Sequence, residues 1–358
     1  MKFMLVSVVG TRPNFIKLAP VDEAARRHKL KHLIIHTGQH YDFEMSKVFF
    51  EELAIPEPDF HLGVGSGSAT KQITETIQKV AKTLDNLEQN LLVIIYGDCN
   101  ATVGGAVASN KGGYVTAHVE SGVRTGNRTF PEEINRILAE TCSDVLFAPT
   151  KGVLRNIQHT GRAIFTGDVM YDTFLENQDK LDIQLLEKIP ATSEDYHVLT
   201  MHRGMNVDDP KTFARILEAI ASTKENFIFP AHPRAAKNLH LMDLPNNIHI
   251  IKPLSYLKFV SLVKYAQKIV TDSGGVQKEA YMLGVPCVTL IEDPVWFETI
   301  DAGWNIAVGS DPDRIREGIL NFWPSGKRPQ IFGTGKASEH IISVFIEKYP
   351  QLCSSDTI

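Results

Sequence analysis

An α/β fold of two Rossmann-like, doubly wound domains facing each other across a cleft is the architecture this sequence predicts. Short β-branched runs alternate with amphipathic stretches long enough for helices, which is the signature of parallel βαβ units. At 358 residues the chain exceeds the size at which one hydrophobic core usually keeps growing, so two cores are expected. Many of the expected strands also end in glycine, acid, histidine or arginine, the residue types that line ligand sites at the carboxyl ends of open parallel sheets.

In chain order, the first half supplies strands at Phe3 to Val9, Leu33 to His36, Leu91 to Tyr96, Tyr114 to His118, Val145 to Ala148 and Ile164 to Phe165. The second half repeats the scheme at Tyr196 to Thr200, Phe227 to Phe229, Ile248 to Ile251, Ile269 to Thr271 and Cys287 to Leu290. Between them, Tyr171 to about Tyr196 is rich in Asp, Glu, Gln and Lys and reads as a polar helical connector. Ala337 to Tyr349 carries an apolar face of Ile341, Ile342, Val344 and Phe345, so a closing helix is expected there. Leu62 to Ala69 is glycine-rich but follows no clear strand, and is expected to be a mobile loop.

Bulk properties narrow the function. A formal charge of -5 and a pI near 6.2 argue against a general affinity for nucleic acid or anionic membrane, while a local basic pocket can still hold phosphate. The four cysteines show no Cys-x-x-Cys spacing, which suits a reducing cytoplasm. Met1 and Lys2 precede only eight apolar or small residues, too few for a membrane span and in keeping with a first strand. No His-Glu-x-x-His or Cys/His cluster has metal-ligand spacing, so no metal is expected.

The densest chemistry lies between His118 and Arg136. Glu120 falls just past a strand end, and Pro131-Glu132-Glu133 starts a helix whose dipole favours acids in the first turn. Arg136 lies one turn beyond Glu132 on the same face. Asp98, after the strand ending at Tyr96, joins Glu120 and Glu132 as a candidate proton-handling acid. Acids crowded beside a phosphate are expected to raise the pKa of at least one of them, giving a group that exchanges protons near neutrality. Arg12 and Lys17 open a helix after a glycine turn and suit a diphosphate. Ser273-Gly274-Gly275 follows a strand and exposes backbone amides at a helix start, which bind anionic oxygens. Glu279 sits one turn further on, placed to accept from ribose hydroxyls, and His202 beside Arg203 is suited to donating to phosphate or moving a proton.

Taken together, the blocks Gly-Thr-Arg-Pro at 10–13, Gly-Gln-His at 38–40, Gly-Asp at 97–98, His-Val-Glu at 118–120, Arg-Thr-Gly at 124–126, Pro-Glu-Glu-Ile-Asn-Arg at 131–136 and Asp-Ser-Gly-Gly at 272–275 resemble the non-hydrolysing UDP-N-acetylglucosamine 2-epimerases over nearly the whole chain. The resemblance implies a glycosyltransferase-B-like fold and a cytoplasmic homodimer in polysaccharide biosynthesis. It divides the chain into residues 1–170 with the catalytic carboxylates, 171–335 binding UDP, and 336–358 as a helix crossing back to the first domain. It implies elimination of UDP to a 2-acetamidoglucal and re-addition, interconverting UDP-GlcNAc and UDP-ManNAc with no cofactor. By the same resemblance Asp98, Glu120 and Glu132 are the acid/base carboxylates and His202 assists departure of the diphosphate. Arg12, Lys17, Arg136, Phe259, Ser273, Gly274, Gly275 and Glu279 match UDP-binding positions.

Departures from the family pattern bear on the sugar. Asn14 stands where a glutamate is usual, and Glu292-Asp-Pro-Val-Trp296 replaces the usual Thr-Glu-Arg-Pro-Glu. Trp296 and Gly303-Trp304-Asn305 resemble the branch acting on UDP-2,3-diacetamido-2,3-dideoxyglucuronate. Two rivals share the expected architecture or ligand: a glycosyltransferase of the same fold, and a hydrolysing epimerase. A nucleotide-sugar sensor without chemistry is disfavoured by the presence together of Asp98, Glu120, Glu132 and His202.

Overall fold

The computed structural model describes residues 3–39, 43–87, 90–187, 189, 195–239 and 245–350, with backbone alone at 3 and 43–46. His40 of the Gly-Gln-His block and Cys353 lie outside the described residues. The chain divides into two compact units, one formed by residues 1–176 with 330–358 and the other by 177–329.

The first unit is built on a parallel sheet of seven strands: β1 (Phe3–Val9), β2 (His32–His36), β3 (Phe60–His61), β4 (Asn90–Tyr96), β5 (Val115–Val119), β6 (Val145–Ala148) and β7 (Ala163–Phe165). Their order is β3-β2-β1-β4-β5-β6-β7. The strands that read as unbroken apolar runs take the centre, as a sheet covered on both faces by helices requires. Leu91 to Tyr96 of β4 is buried throughout, and Leu5, Val6 and Val8 of β1 pair beside it.

The second unit has six parallel strands: β8 (His197–Thr200), β9 (Phe227–Pro230), β10 (Ile248–Ile251), β11 (Ile269–Thr271), β12 (Cys287–Thr289) and β13 (Asn305–Ala307), in the order β10-β9-β8-β11-β12-β13. Both sheets reverse their winding beside their first strand, between β1 and β4 and between β8 and β11. Such a switch point splays the flanking connections apart and leaves a crevice beyond the strand ends, where ligands bind in this fold class.

Three features differ from the sequence reading. β3 and β13 are additional edge strands, with two and three residues respectively, too short to show an alternating pattern. The polar connector is not one helix: a helix Val169–Asn177 gives way to short 3-10 turns at Gln178–Lys180 and Ile183–Leu186. The glycine-rich stretch at 62–69 is held in place, because Val64 and Gly65 amides donate to Thr37 and Gly38 carbonyls at 2.8 and 2.9 Å, and Ser68 caps the helix Ala69–Asp85. Its glycines permit that close backbone approach, with Gly38, Gly63 and Gly65 all at positive φ.

The helix Ala337–Lys348 belongs to the first unit, where it packs on the helix Arg12–Arg27 and sets Phe345 against Phe147 of β6 at 5.4 Å. Its first amides are satisfied from far along the chain. Asp172 accepts from the Ala337 amide at 3.1 Å and from the Ser338 amide and hydroxyl at 2.7 Å each, acting as a helix cap supplied in trans.

Candidate active site

In the first unit the candidate residues gather at the switch point between β1 and β4. β1 exits through Gly10 and Thr11, where a Cβ on Gly10 would stand 2.4 Å from Thr37 Oγ1 and 2.5 Å from Ala101 Cβ. Asn14 ties the two exits together. Its Oδ1 accepts from the Gly10 and Thr11 amides at 3.1 and 3.2 Å, while its Nδ2 donates to the Tyr96 carbonyl at 2.9 Å. An ionised glutamate is an acceptor only and cannot make the Tyr96 bond, so the amide at position 14 has a local structural reason.

Beyond β4, Gly97 turns at φ +65, and a Cβ there would lie 2.8 Å from Lys17 Nζ. Lys17 is 4% exposed and donates to Glu120 Oε1 at 2.6 Å. Arg136, also 4% exposed, reaches Asp98 Oδ2 at 2.5 Å and Glu133 Oε2 at 3.2 Å. Asn135 Nδ2 adds a bond to the Asp98 carbonyl at 2.9 Å. The acids expected to crowd one another therefore alternate with cations, Lys17 facing Glu120 and Arg136 facing Asp98. Burial disfavours the Arg136 charge, but Asp98, Glu133 and Glu120 outweigh it and hold the guanidinium more firmly protonated than usual. Burial likewise pushes the Glu133 carboxyl up, and bonds from the Thr125 amide, Arg136 and the Gly126 amide bring it below the usual range.

Glu132 occupies the first turn of the helix Pro131–Thr141, half-buried, on the element that also carries Glu133 and Arg136. Arg12 starts the helix Arg12–Arg27 with its guanidinium 5.5 Å from the Phe49 ring. His118, fully buried on β5, lies 2.7 Å from the Gly97 carbonyl through Nε2. The carbonyl can only accept, so Nε2 carries the proton, and burial lowers the imidazole pKa and keeps the ring neutral.

The second unit presents its own cluster at the switch point between β8 and β11. Asp272 follows β11, is completely buried, and accepts from the His202 amide at 3.0 Å, the Arg203 amide at 2.9 Å and Asn206 Nδ2 at 3.1 Å. It also stands 3.1 Å from His202 Nδ1. Burial pushes the Asp272 carboxyl up, yet the His202 and Arg203 bonds outweigh it and leave it below the usual range. A carboxylate at Nδ1 fixes the proton there and leaves Nε2 as the working nitrogen of a ring that is 40% exposed.

Next along, Ser273 caps the helix Gly274–Leu283 by accepting from the Val276 amide. Gly274 has little room for a side chain, since a Cβ would meet Val295 Cγ2 at 3.0 Å and Trp296 Nε1 at 3.5 Å. Gly275 is the next residue of the same first turn. Phe259 lies on the helix Tyr256–Lys264, which packs beside Gly274–Leu283, and Glu279 is one turn in, 7% exposed. Burial pushes the Glu279 carboxyl to about 8, against a smaller opposing effect of Lys278.

A raised folded-state pKa means that this glutamate stabilises fully below the unfolded value near 4.5, and that its contribution is lost as pH rises toward about 8. Denaturant melts are expected to show stability falling by on the order of 1 kcal/mol per pH unit through that window. Glu279→Gln is expected to flatten the slope; an unchanged slope in the variant would show that another group titrates.

Sequence reasoning found the acids and the phosphate loop but missed what holds them. Asp272 was legible only as part of a small-residue turn, although an acid directly after a strand and before a helix cap is the signal for an acceptor of backbone amides. Glu133 was read only as part of an acidic helix start and Glu140 was not singled out, yet their spacing of two turns places them on one face.

Two 3-2-1-4-5-6-type sheets in one chain, one with acids at its switch point and the other with a capped glycine turn, define a glycosyltransferase-B-like α/β protein. A family model described as UDP-N-acetylglucosamine 2-epimerase matches residues 22–346, and the chain belongs to that family. It is 44% identical over 353 residues to a UDP-N-acetylglucosamine 2-epimerase homolog of Methanococcus maripaludis, covering 95% of this chain and 98% of that one. It is 35% identical to the UDP-2,3-diacetamido-2,3-dideoxy-D-glucuronate 2-epimerase of Pseudomonas aeruginosa, covering 94% and 98%. Among solved structures, the UDP-GlcNAc 2-epimerase of Methanocaldococcus jannaschii in complex with UDP-GlcNAc and UDP matches with a TM-score of 0.89 and 35% identity, covering 97% of this chain and 100% of that one.

Proposed function

We propose that this protein interconverts UDP-GlcNAc and UDP-ManNAc without hydrolysis. The observation that carries the reading is the Asp98–Arg136 and Glu120–Lys17 alternation at the first unit's switch point, within a chain of this family. The hydrogen on carbon 2 is not acidified by a neighbouring carbonyl, so its removal must be coupled to departure of a good leaving group. UDP supplies it: the C2–H and C1–O bonds break, a C1=C2 double bond forms, and UDP leaves with the electron pair. Protonation of the 2-acetamidoglucal on the opposite face and return of UDP to carbon 1 complete the inversion. The sequence is redox-neutral and calls for no cofactor.

Asp98, Glu120 and Glu132 act as the proton-handling set. Ser273, Gly274 and Gly275 offer amides to the diphosphate, and His202 Nε2 assists its departure. Glu279 and Phe259 hold the nucleoside, while Arg12, Lys17 and Arg136 stabilise charge as the C1–O bond breaks. We extend the proposal to a homodimer acting in the cytoplasm in polysaccharide biosynthesis, on the strength of the family resemblance. No helix among the described residues is long and apolar enough to cross a membrane.

The test is incubation with UDP-GlcNAc in deuterium oxide, followed by proton NMR. Deuterium at carbon 2 of a UDP-linked epimer is expected; free hexosamine without that epimer would overturn the assignment. The diacetamido uronate is the second substrate to assay, favoured by the Pseudomonas relative and by Trp296, which lies 4.6 Å from the buried Lys278 ammonium and shields the first turn of the phosphate helix.

A further inference from the structure

Glu120 is a non-glycine residue at φ +71, in the left-handed region that L side chains rarely adopt. Strain of that kind persists only where the surroundings over-determine it. Ser121 is anchored by its amide on the Phe147 carbonyl and its hydroxyl on the His118 carbonyl, both at 2.9 Å, and beyond it the segment is held by two acids of one helix. Glu140 accepts from the Gly122 amide at 2.8 Å and from Arg124 Nη1 at 2.8 Å, and pairs through its second oxygen with Arg124 Nη2. Two turns earlier, Glu133 accepts from the Thr125 amide at 2.9 Å and the Gly126 amide at 3.3 Å.

Glu133 and Glu140 are 2% and 5% exposed, and they are spaced roughly 10 Å apart along the helix axis. Between them they grip the whole segment that leaves Glu120. Gly122 has no slack of its own, because at φ +89 a Cβ would strike the Val153 carbonyl at 2.6 Å. The same helix carries Arg136, which fixes Asp98, so one rigid element sets the positions of both acids relative to each other.

We propose that Glu140, through its paired Arg124, is a positioning residue that holds Glu120 in its strained backbone state and thereby aims its carboxylate at Lys17. The kinetic half of this proposal rests on the epimerase reading; the conformational half does not. Loss of the clamp lets residue 120 relax toward ordinary φ, withdrawing the carboxylate from its place without touching the nucleotide-binding residues of the second unit.

The experiment compares Glu120→Ala with Glu120→Gly, which differ by one Cβ and both lack the carboxylate. With Glu140 intact, the glycine variant is expected to melt about 3 °C or more above the alanine variant, because only alanine is penalised in the left-handed region. In a Glu140→Gln background, which breaks the charged pair with Arg124, the difference is expected to shrink. A difference that persists undiminished there, or none with Glu140 intact, overturns the proposal without reference to any substrate. Glu140→Gln alone is expected to lower kcat about 10- to 100-fold with UDP Kd changed by less than about twofold. Wild-type kcat, or equal losses in kcat and UDP affinity, would overturn it. If Glu140→Gln does not fold, Arg124→Gln keeps the Gly122 bond to Glu140 and is expected to shrink the alanine–glycine difference. Failure of the wild type to exchange deuterium would sink the epimerase reading and leave the melting comparison standing.

Discussion

Glu120→Gln and Asp98→Asn are each expected to lower kcat by about 10²- to 10⁴-fold while leaving UDP affinity within about threefold, the range typical of a lost general acid or base. The amides keep the shape and part of the hydrogen bonding of the carboxylates but cannot take a proton from carbon 2. The two variants should differ in stability. Glu120→Gln leaves the Lys17 ammonium, 4% exposed, facing a neutral amide, whereas Asp98→Asn leaves Arg136 with Glu133 still at 3.2 Å. Asp98→Asn should therefore melt nearer the wild type. Steady-state kinetics beside calorimetric titration with UDP checks both points, and unchanged turnover in both variants would remove these residues from the mechanism.

Asp272→Asn is expected to destabilise the second unit by about 3 to 5 kcal/mol and to depress kcat as well. The wild-type carboxylate is surrounded by donors: the His202 and Arg203 amides, Asn206 Nδ2 and His202 Nδ1. An asparagine turns an NH2 toward the His202 and Arg203 amides at a completely buried position, where an unmatched donor is costly. The same change frees the His202 ring to take the other tautomer, in which the proton sits on Nε2 instead of Nδ1, so the state of the nitrogen facing the diphosphate is no longer fixed. Chemical denaturation followed through the second unit measures the first effect. A midpoint equal to the wild type would mean that Asp272 does not organise the cluster.

The parts of this site that were legible in the sequence are those whose chemistry is local. Ser273-Gly274-Gly275 announces a helix start with exposed amides by its own composition, and Asp98 and Glu120 announce themselves by following apolar strands. The pairings were not legible, because Lys17 and Glu120 are separated by 103 positions and Asp98 and Arg136 by 38. Only the strand order brings them together, and strand order is a property of the sheet rather than of any segment in it. The same limit explains the edge strands: Phe60–His61 and Asn305–Ala307 are strands because β2 and β12 offer them open edges. The glycine stretch at 62–69 misled for the opposite reason, since freedom in φ allows a tight backbone approach as readily as mobility.

The cap that Asp172 supplies to Ala337 and Ser338 also dictates an order of events during synthesis. The second unit is one continuous segment, 177–329, and can close as soon as it has emerged from the ribosome, whereas the first unit needs residues from both sides of it. Until 337 and 338 arrive, Asp172 is a carboxylate without those partners at a position the finished fold buries to 2% exposure, and the apolar surface around Phe147 lies open where Phe345 will sit. The half of the protein made first is thus the half finished last, and a nascent chain stalled before residue 337 should carry a mature second unit beside a first unit still open to proteases and chaperones.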